Sequence, residues 1–120
     1  MAATITNADT SYHNTLKNLI EYPETGILSK VFVKDDHSQQ NLFCLAAGTT
    51  LEEHTSSKNA TVMAMEGEGT LTLNGEDITL TPGVVVYMPA HAPHALEATT
   101  NLAFWLILSA VETQGTSIEN

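Results

Sequence analysis

Gly48-Thr49-Thr50-Leu51-Glu52-Glu53-His54-Thr55-Ser56 opens the stretch that decides the fold, and Pro89-Ala90-His91-Ala92-Pro93-His94-Ala95-Leu96-Glu97-Ala98 closes it. Between these ends, short strand-like runs alternate with tight turns. Residues 60–66 form one run, stopped by Gly67-Glu68-Gly69. Thr70-Leu71-Thr72-Leu73 then faces Glu76-Asp77-Ile78-Thr79-Leu80 across Asn74-Gly75. That dipeptide predicts a two-residue hairpin turn, because both central positions need positive φ. Val84-Val85-Val86-Tyr87-Met88 is a β-branched run halted by Pro89. His54, His91 and His94 all fall in this stretch, on segments distant in sequence. A sheet that closes so that the three face one hollow would make that hollow the functional site.

Working outward, the same period of two continues on both sides. Residues 26–34 place Ile27, Val31 and Val33 on one face and Leu28 and Phe32 on the other. Residues 40–46 set Leu42, Cys44 and Ala46 against Phe43 and Leu45. Apolar residues on both faces predict strands covered on both sides. Residues 95–98 and 102–108 supply the last two strands. Upstream, Tyr12, Leu16, Leu19 and Ile20 fall at i, i+4, i+7 and i+8, the stripe of a short helix of about two turns. Tyr22-Pro23 ends it, since the residue before proline avoids the helical region. About nine short strands with frequent turn signals predict an antiparallel sandwich or barrel. The organisation expected is an arm and short helix over 1–24, one barrel over 25–109 and a polar tail over 110–120.

Composition narrows the functional classes. The 120 residues suffice for one core, and 42% of them are hydrophobic. The formal net charge is −10, with four cationic side chains, all lysine. Nucleic-acid binding needs a basic face that so few cations cannot build, so no nucleic-acid partner is expected. A strongly anionic ligand is disfavoured for the same reason, whereas a neutral or weakly polar small molecule fits. No apolar run reaches the ~20 residues of a membrane span, so no membrane partner is expected. The N-terminus shows no secretory pattern, and the single Cys44 cannot form an internal disulfide. A reducing, cytoplasmic setting is the expectation.

The central stretch resembles the cupin family. The family's first motif, G-x5-H-x-H-x3-4-E-x6-G, is matched in spacing by Gly48, His54, Ser56, Ala60 and Gly67. Its second motif, G-x5-P-x-G-x2-H-x3-N, is matched by Gly83, Pro89, His91, His94 and Ala98. The resemblance implies an all-β fold, a double-stranded β-helix or jelly-roll barrel with one short N-terminal helix. In metal-binding cupins two histidines and a glutamate of the first motif and one histidine of the second hold the ion. This chain keeps His54 and His94 but has Ser56 and Ala60 at the other two ligand positions, and neither is a good ligand.

His91 stands where the motif has glycine, three residues before His94. With His54 and His94 it would complete a three-imidazole face suited to Zn, Fe, Ni or Cu, with positions left open for water or substrate. Strand alternation places Ser56, Val62, Ala64 and Leu96 around the same hollow as ligand-binding residues. Glu66 falls on the inward phase too, at a strand end where a solvated position is expected. The expected function is binding of a small neutral or weakly polar molecule at this degenerate metal site, with dioxygenase, isomerase or lyase chemistry if the protein is an enzyme. The alternative is a metal-free ligand-binding or sensory barrel without catalysis. Met63, Met65, Tyr87, Phe104 and Trp105 are left to fill the other side of the sheet or a subunit interface. That surplus of apolar surface, and the resemblance, predict a homodimer.

Overall fold

A computed structural model describes residues 3–112 of the chain. Its elements in order are β1 (Ala3–Thr4), α1 (Leu16–Leu19), β2 (Ile27–Lys34), β3 (Ser38–Leu45), β4 (Thr50–His54), β5 (Asn59–Glu66), β6 (Gly69–Leu73), β7 (Glu76–Leu80), β8 (Val85–Met88), β9 (His94–Ala98) and β10 (Leu102–Ser109). They form a six-stranded sheet, β1-β2-β3-β10-β5-β8, and a four-stranded sheet, β4-β9-β6-β7. All pairings are antiparallel except β1 with β2. Most of the predicted tail, residues 113–120, lies outside the described residues.

Alternation puts one side chain in two between the sheets. Leu45, Val62, Ala64, Val86, Met88, Leu102 and Phe104 meet Leu71, Leu80, Leu96 and Ala98 in the main core. Leu45, Leu80 and Leu102 are wholly buried, and each contributes roughly 1.5–3 kcal/mol of transfer free energy. Phe104 belongs to this inner layer, where its ring stacks on Phe43 with centroids 5.2 Å apart. It does not cover the outer face with Trp105 and Met65, because Leu102, Phe104 and Leu106 share one phase of β10 and Ala103 and Trp105 the other.

The opposite phase explains why β3 is apolar on both faces. Leu42 and Cys44 point away from the barrel interior and are covered by Leu19, Ile20 and Tyr22 of the N-terminal segment. The segment is fastened by Lys30 Nζ, which donates to the Leu19 carbonyl at 2.8 Å and pairs with Glu21 at 3.3 Å. Tyr22 Oη donates to the Glu66 carboxylate, and burial together with that acceptor raises the Tyr22 pKa. Burial likewise raises the Cys44 thiol, which fits a small core residue and not a nucleophile. The helix itself is shorter than its stripe suggests, one turn over Leu16–Leu19. Asn14 Oδ1 is taken up locally by Thr15 N and Asn18 Nδ2, and Thr15 makes no side-chain cap. Tyr12 is left outside the helix with its ring edge-on to Phe32.

Two irregularities re-aim side chains that strict alternation would place elsewhere. In β5, Ala64 pairs with Phe104 but Glu66 pairs with Ala103, so Met65 is an extra residue. That bulge carries Glu66 to the outer face, beside Tyr22. In β4, Leu51 pairs with Leu96 while His54 pairs with His94, three residues against two. The predicted hairpin at Asn74-Gly75 is present, with φ of 52° and 82°.

Candidate functional site

The shift in β4 is what builds the site. Leu51 and His54 are three residues apart and would face opposite sides of a regular strand. The extra residue between their pairings turns both toward the space between the sheets. On β9, ordinary alternation carries His94 and Leu96 to the same space. The two imidazoles stand across the β4–β9 pair, ring centroids 4.3 Å apart and inclined at 61°.

Each ring is anchored in the same way. His54 Nδ1 lies 2.9 Å from the carbonyl oxygen of Glu52, and His94 Nδ1 lies 2.9 Å from that of Ala92. A carbonyl can only accept, so each Nδ1 carries the hydrogen and donates it. In the neutral ring the lone pair then belongs to Nε2. Each ring thus keeps Nε2 as its acceptor while its Nδ1–H is held by a nearby backbone carbonyl.

Behind them lies a cavity of about 260 Å³. The six-stranded sheet contributes Ile27, Phe43, Val62, Met88, Phe104 and Leu106, and the four-stranded sheet contributes Leu51, His54, Leu71, His94, Ala95 and Leu96. Among the described residues the two histidines supply its only ionisable side chains. His54 is solvent-exposed and His94 half-buried, so the cavity has a wet, polar end and a dry, hydrocarbon body.

Of the residues expected around this hollow, His54, His94, Val62 and Leu96 line it. Ala64 is buried in the same core but does not reach the cavity wall. Ser56 lies beyond the end of β4, in the turn before β5, and its Oγ accepts from Lys58 N at 3.1 Å. His91 is exposed in the β8–β9 turn with φ of 73°, and its backbone N–H donates to the Ser56 carbonyl at 2.7 Å. That left-handed conformation accounts for the glycine preferred at this motif position, and a side chain there costs roughly 1–2 kcal/mol. The three imidazoles do not converge, because the turn conformation holds His91 outside the cavity wall. Among the described residues no group of three or more His, Cys, Asp or Glu side chains is arranged to hold a metal ion.

The family's metal can be tested against these donors. Ala60, buried at the glutamate position, offers no donor atom, and the Ser56 hydroxyl is engaged in its own turn. Two imidazoles remain, too few for the family's four-ligand cage. The residues present therefore do not fit that ion. The cavity also takes in Ile27, Phe43, Leu51, Leu71, Met88, Ala95, Phe104 and Leu106, none of which the sequence reading assigned to it. Pairing of the β10 phase with β3 would have found Phe43 and Phe104, but nothing in the sequence marks the bulge that turns Leu51 and His54 together.

Comparison with known proteins agrees with this architecture. The Cupin_2 family model, a cupin domain, matches residues 41–108. A cupin superfamily protein from Desulfitobacterium hafniense is 26% identical, with 89% of this chain and 98% of that one covered and a TM-score of 0.79. A conserved protein of unknown function from Streptococcus pyogenes is 24% identical, with 92% and 96% covered and a TM-score of 0.78. A variant of the salicylate 1,2-dioxygenase of Pseudoaminobacter salicylatoxidans shares the fold at 23% identity and a TM-score of 0.67, this chain spanning 28% of its length. No curated protein matches the chain. With the motif spacing, the two-sheet barrel and a family match over more than half its length, the chain belongs to the cupin family.

Proposed function

We propose that this cupin binds a small, largely hydrocarbon molecule in the cavity between its sheets, without a metal ion, and that His54 and His94 mark the polar end of the site. The observation that carries the reading is the cavity itself, about 260 Å³ within an apolar wall, with two oriented imidazoles at its open end. A cavity of ~150 Å³ lined by aliphatic and aromatic side chains accommodates benzene, so a substituted single ring or a short branched chain is the size supported here. Burial of such a body is the main source of affinity, and the histidines fix its direction.

Titration of the methyl-labelled protein with ethylbenzene tests this. Shift changes are expected at Leu51, Leu71, Leu96 and Leu106, with Leu19 and Leu42 on the outer face unmoved. A Val62→Phe substitution, which fills the cavity from the six-stranded sheet, is expected to weaken binding by at least about tenfold. No movement of the cavity methyls at ligand saturation in water would end the proposal.

A metal-dependent reading stands second, favoured by the two backbone-anchored imidazoles, an arrangement that also suits metal ligands. It would make the protein an oxygen- or carbonyl-activating enzyme with His54, His94 and, after a turn rearrangement, His91 on Zn, Fe, Ni or Cu. The donor set argues against it. Protein grown with these metals supplied is expected to retain less than about one tenth of an equivalent per chain after dialysis, since two imidazoles do not make a tight site. Stoichiometric retention would reverse the order of the two readings.

A homodimer belongs to the same proposal. Val85 and Tyr87 on β8 are 59% and 58% exposed on the outer face of the six-stranded sheet, next to Met63 and Thr61 on β5. A second copy would cover that patch. A cytoplasmic setting rests on the lone, buried, reduced Cys44. No helix among the described residues is long and apolar enough to cross a membrane.

A further inference from the structure

We infer that the molecule bound in this cavity is an uncharged hydroxyl compound, its O–H donated to the Nε2 atoms of His54 and His94; the inference rests on the binding function proposed above and names the chemical class it selects. Both Nδ1–H groups are consumed by the Glu52 and Ala92 carbonyls at 2.9 Å, so the neutral pair offers the ligand two acceptors and no donor. The twelve residues of the wall add no other polar side chain.

Each alternative head group meets a specific obstacle. A pure hydrocarbon, on displacing water from the polar end, would leave the half-buried His94 Nε2 without a partner, and an unmade hydrogen bond there costs more than a made one returns. A carboxylate or phosphate brings only lone pairs to two lone pairs. Among the described residues the cavity wall holds no lysine to receive it, and the chain carries a formal net charge of −10. An ammonium group would find acceptors but no carboxylate among the described wall residues to balance its charge against an apolar body. A hydroxyl meets none of these obstacles. It donates one hydrogen, shared between acceptors whose rings stand 4.3 Å apart, and its own lone pairs face the open, wet side next to the exposed His54. The hydrocarbon body then lies along Phe43, Phe104 and Leu106, apolar side chains that the six-stranded sheet contributes to the wall. The single donor at one end fixes which way round the molecule enters.

Three compounds of one shape separate these cases: 4-ethylphenol, 4-ethyltoluene with methyl in place of hydroxyl, and 4-ethylbenzoate. Affinities are read by methyl shift titration at pH 8 on the native protein and on the separate His54→Leu and His94→Leu variants. The phenol is expected to bind the native protein at least about tenfold more tightly than the toluene, and the benzoate more weakly than either. In His94→Leu the phenol is expected to lose that advantage while the toluene binds as well as before or better, a result that a merely structural role for His94 would not produce. His54→Leu is expected to reduce the advantage by less, because water replaces an exposed acceptor. Equal affinities for phenol and toluene, or tightest binding of the benzoate, would overturn this inference while leaving the apolar binding site standing. Failure of all three to bind would overturn both.

Discussion

Replacing Gly67 with alanine is expected to destabilise the fold by at least about 3 kcal/mol, enough to remove a large part of a small domain's stability. Gly67 turns the chain from β5 into β6 at φ of 84°, where a side chain is already strained. The larger problem is space. A Cβ built there falls 1.8 Å from the carbonyl oxygen of Asn101 and 2.8 Å from its carbonyl carbon. These are backbone atoms and cannot rotate away. Asn101 is tied in place, since its Oδ1 accepts from Ala47 N at 2.9 Å and its neighbour Leu102 is wholly buried at the start of β10. Moving Asn101 would therefore disturb the strand that joins β3 to β5. Gly75 provides the contrast. Its φ of 82° is nearly the same, yet nothing lies within 4 Å of a Cβ there. Gly75→Ala is expected to cost only about 1 kcal/mol, the conformational part alone. Urea unfolding of the two variants separates clash from conformation, and a Gly67→Ala cost within 1 kcal/mol of the Gly75→Ala cost would show that the β5–β6 turn gives way without strain.

The same glycine shows why the fold was legible before the structure. Gly67 and Gly83 stand at motif positions, and both adopt positive φ, as do the hairpin residues Asn74 and Gly75. Conformations that only particular residues reach easily leave a mark in the sequence, as does the polar–apolar alternation of Thr70-Leu71-Thr72-Leu73 in β6. The site was legible only in part. His94 follows ordinary alternation and lines the cavity beside Leu96. His54 reaches the same cavity for a different reason, the irregular pairing between Leu51 and His54, and no residue type betrays an extra residue in a strand. The assumption of unbroken alternation also carried Ser56 inward, although the strand ends at His54. His91 failed as a partner of the other two because its position in the turn was known from spacing but its side-chain direction was not. A turn residue's aim depends on φ, and at 73° this one leaves its side chain exposed. In each case pattern located the residue along the chain, and a local departure from regular geometry decided where it pointed.

The cavity wall itself links stability to binding, and Phe104→Ala is expected to expose that link. Phe104 is 6% exposed, stacks on Phe43 and lines the cavity. Its truncation should cost about 3–5 kcal/mol, the usual range for removing a buried phenylalanine ring. Part of this cost arises from empty space left in contact with a cavity already of about 260 Å³. Space that water does not occupy well is space an apolar ligand can occupy, and a ligand that binds only the folded state raises stability by mass action. Saturating ethylbenzene is therefore expected to stabilise Phe104→Ala more than it stabilises the native protein, recovering at least about 1 kcal/mol of the loss. Leu42→Ala is the matched control. Leu42 is equally buried, but in the cluster beneath the N-terminal segment on the other face of β3. It should lose about 2–5 kcal/mol and gain no more from the ligand than the native protein does. Urea midpoints of the three proteins with and without ethylbenzene make the comparison. If the ligand rescues the outer-face variant as well as the inner-face one, the hollow between the sheets is not where it binds; if it rescues neither, the hollow is a packing space and the barrel's ligand lies elsewhere.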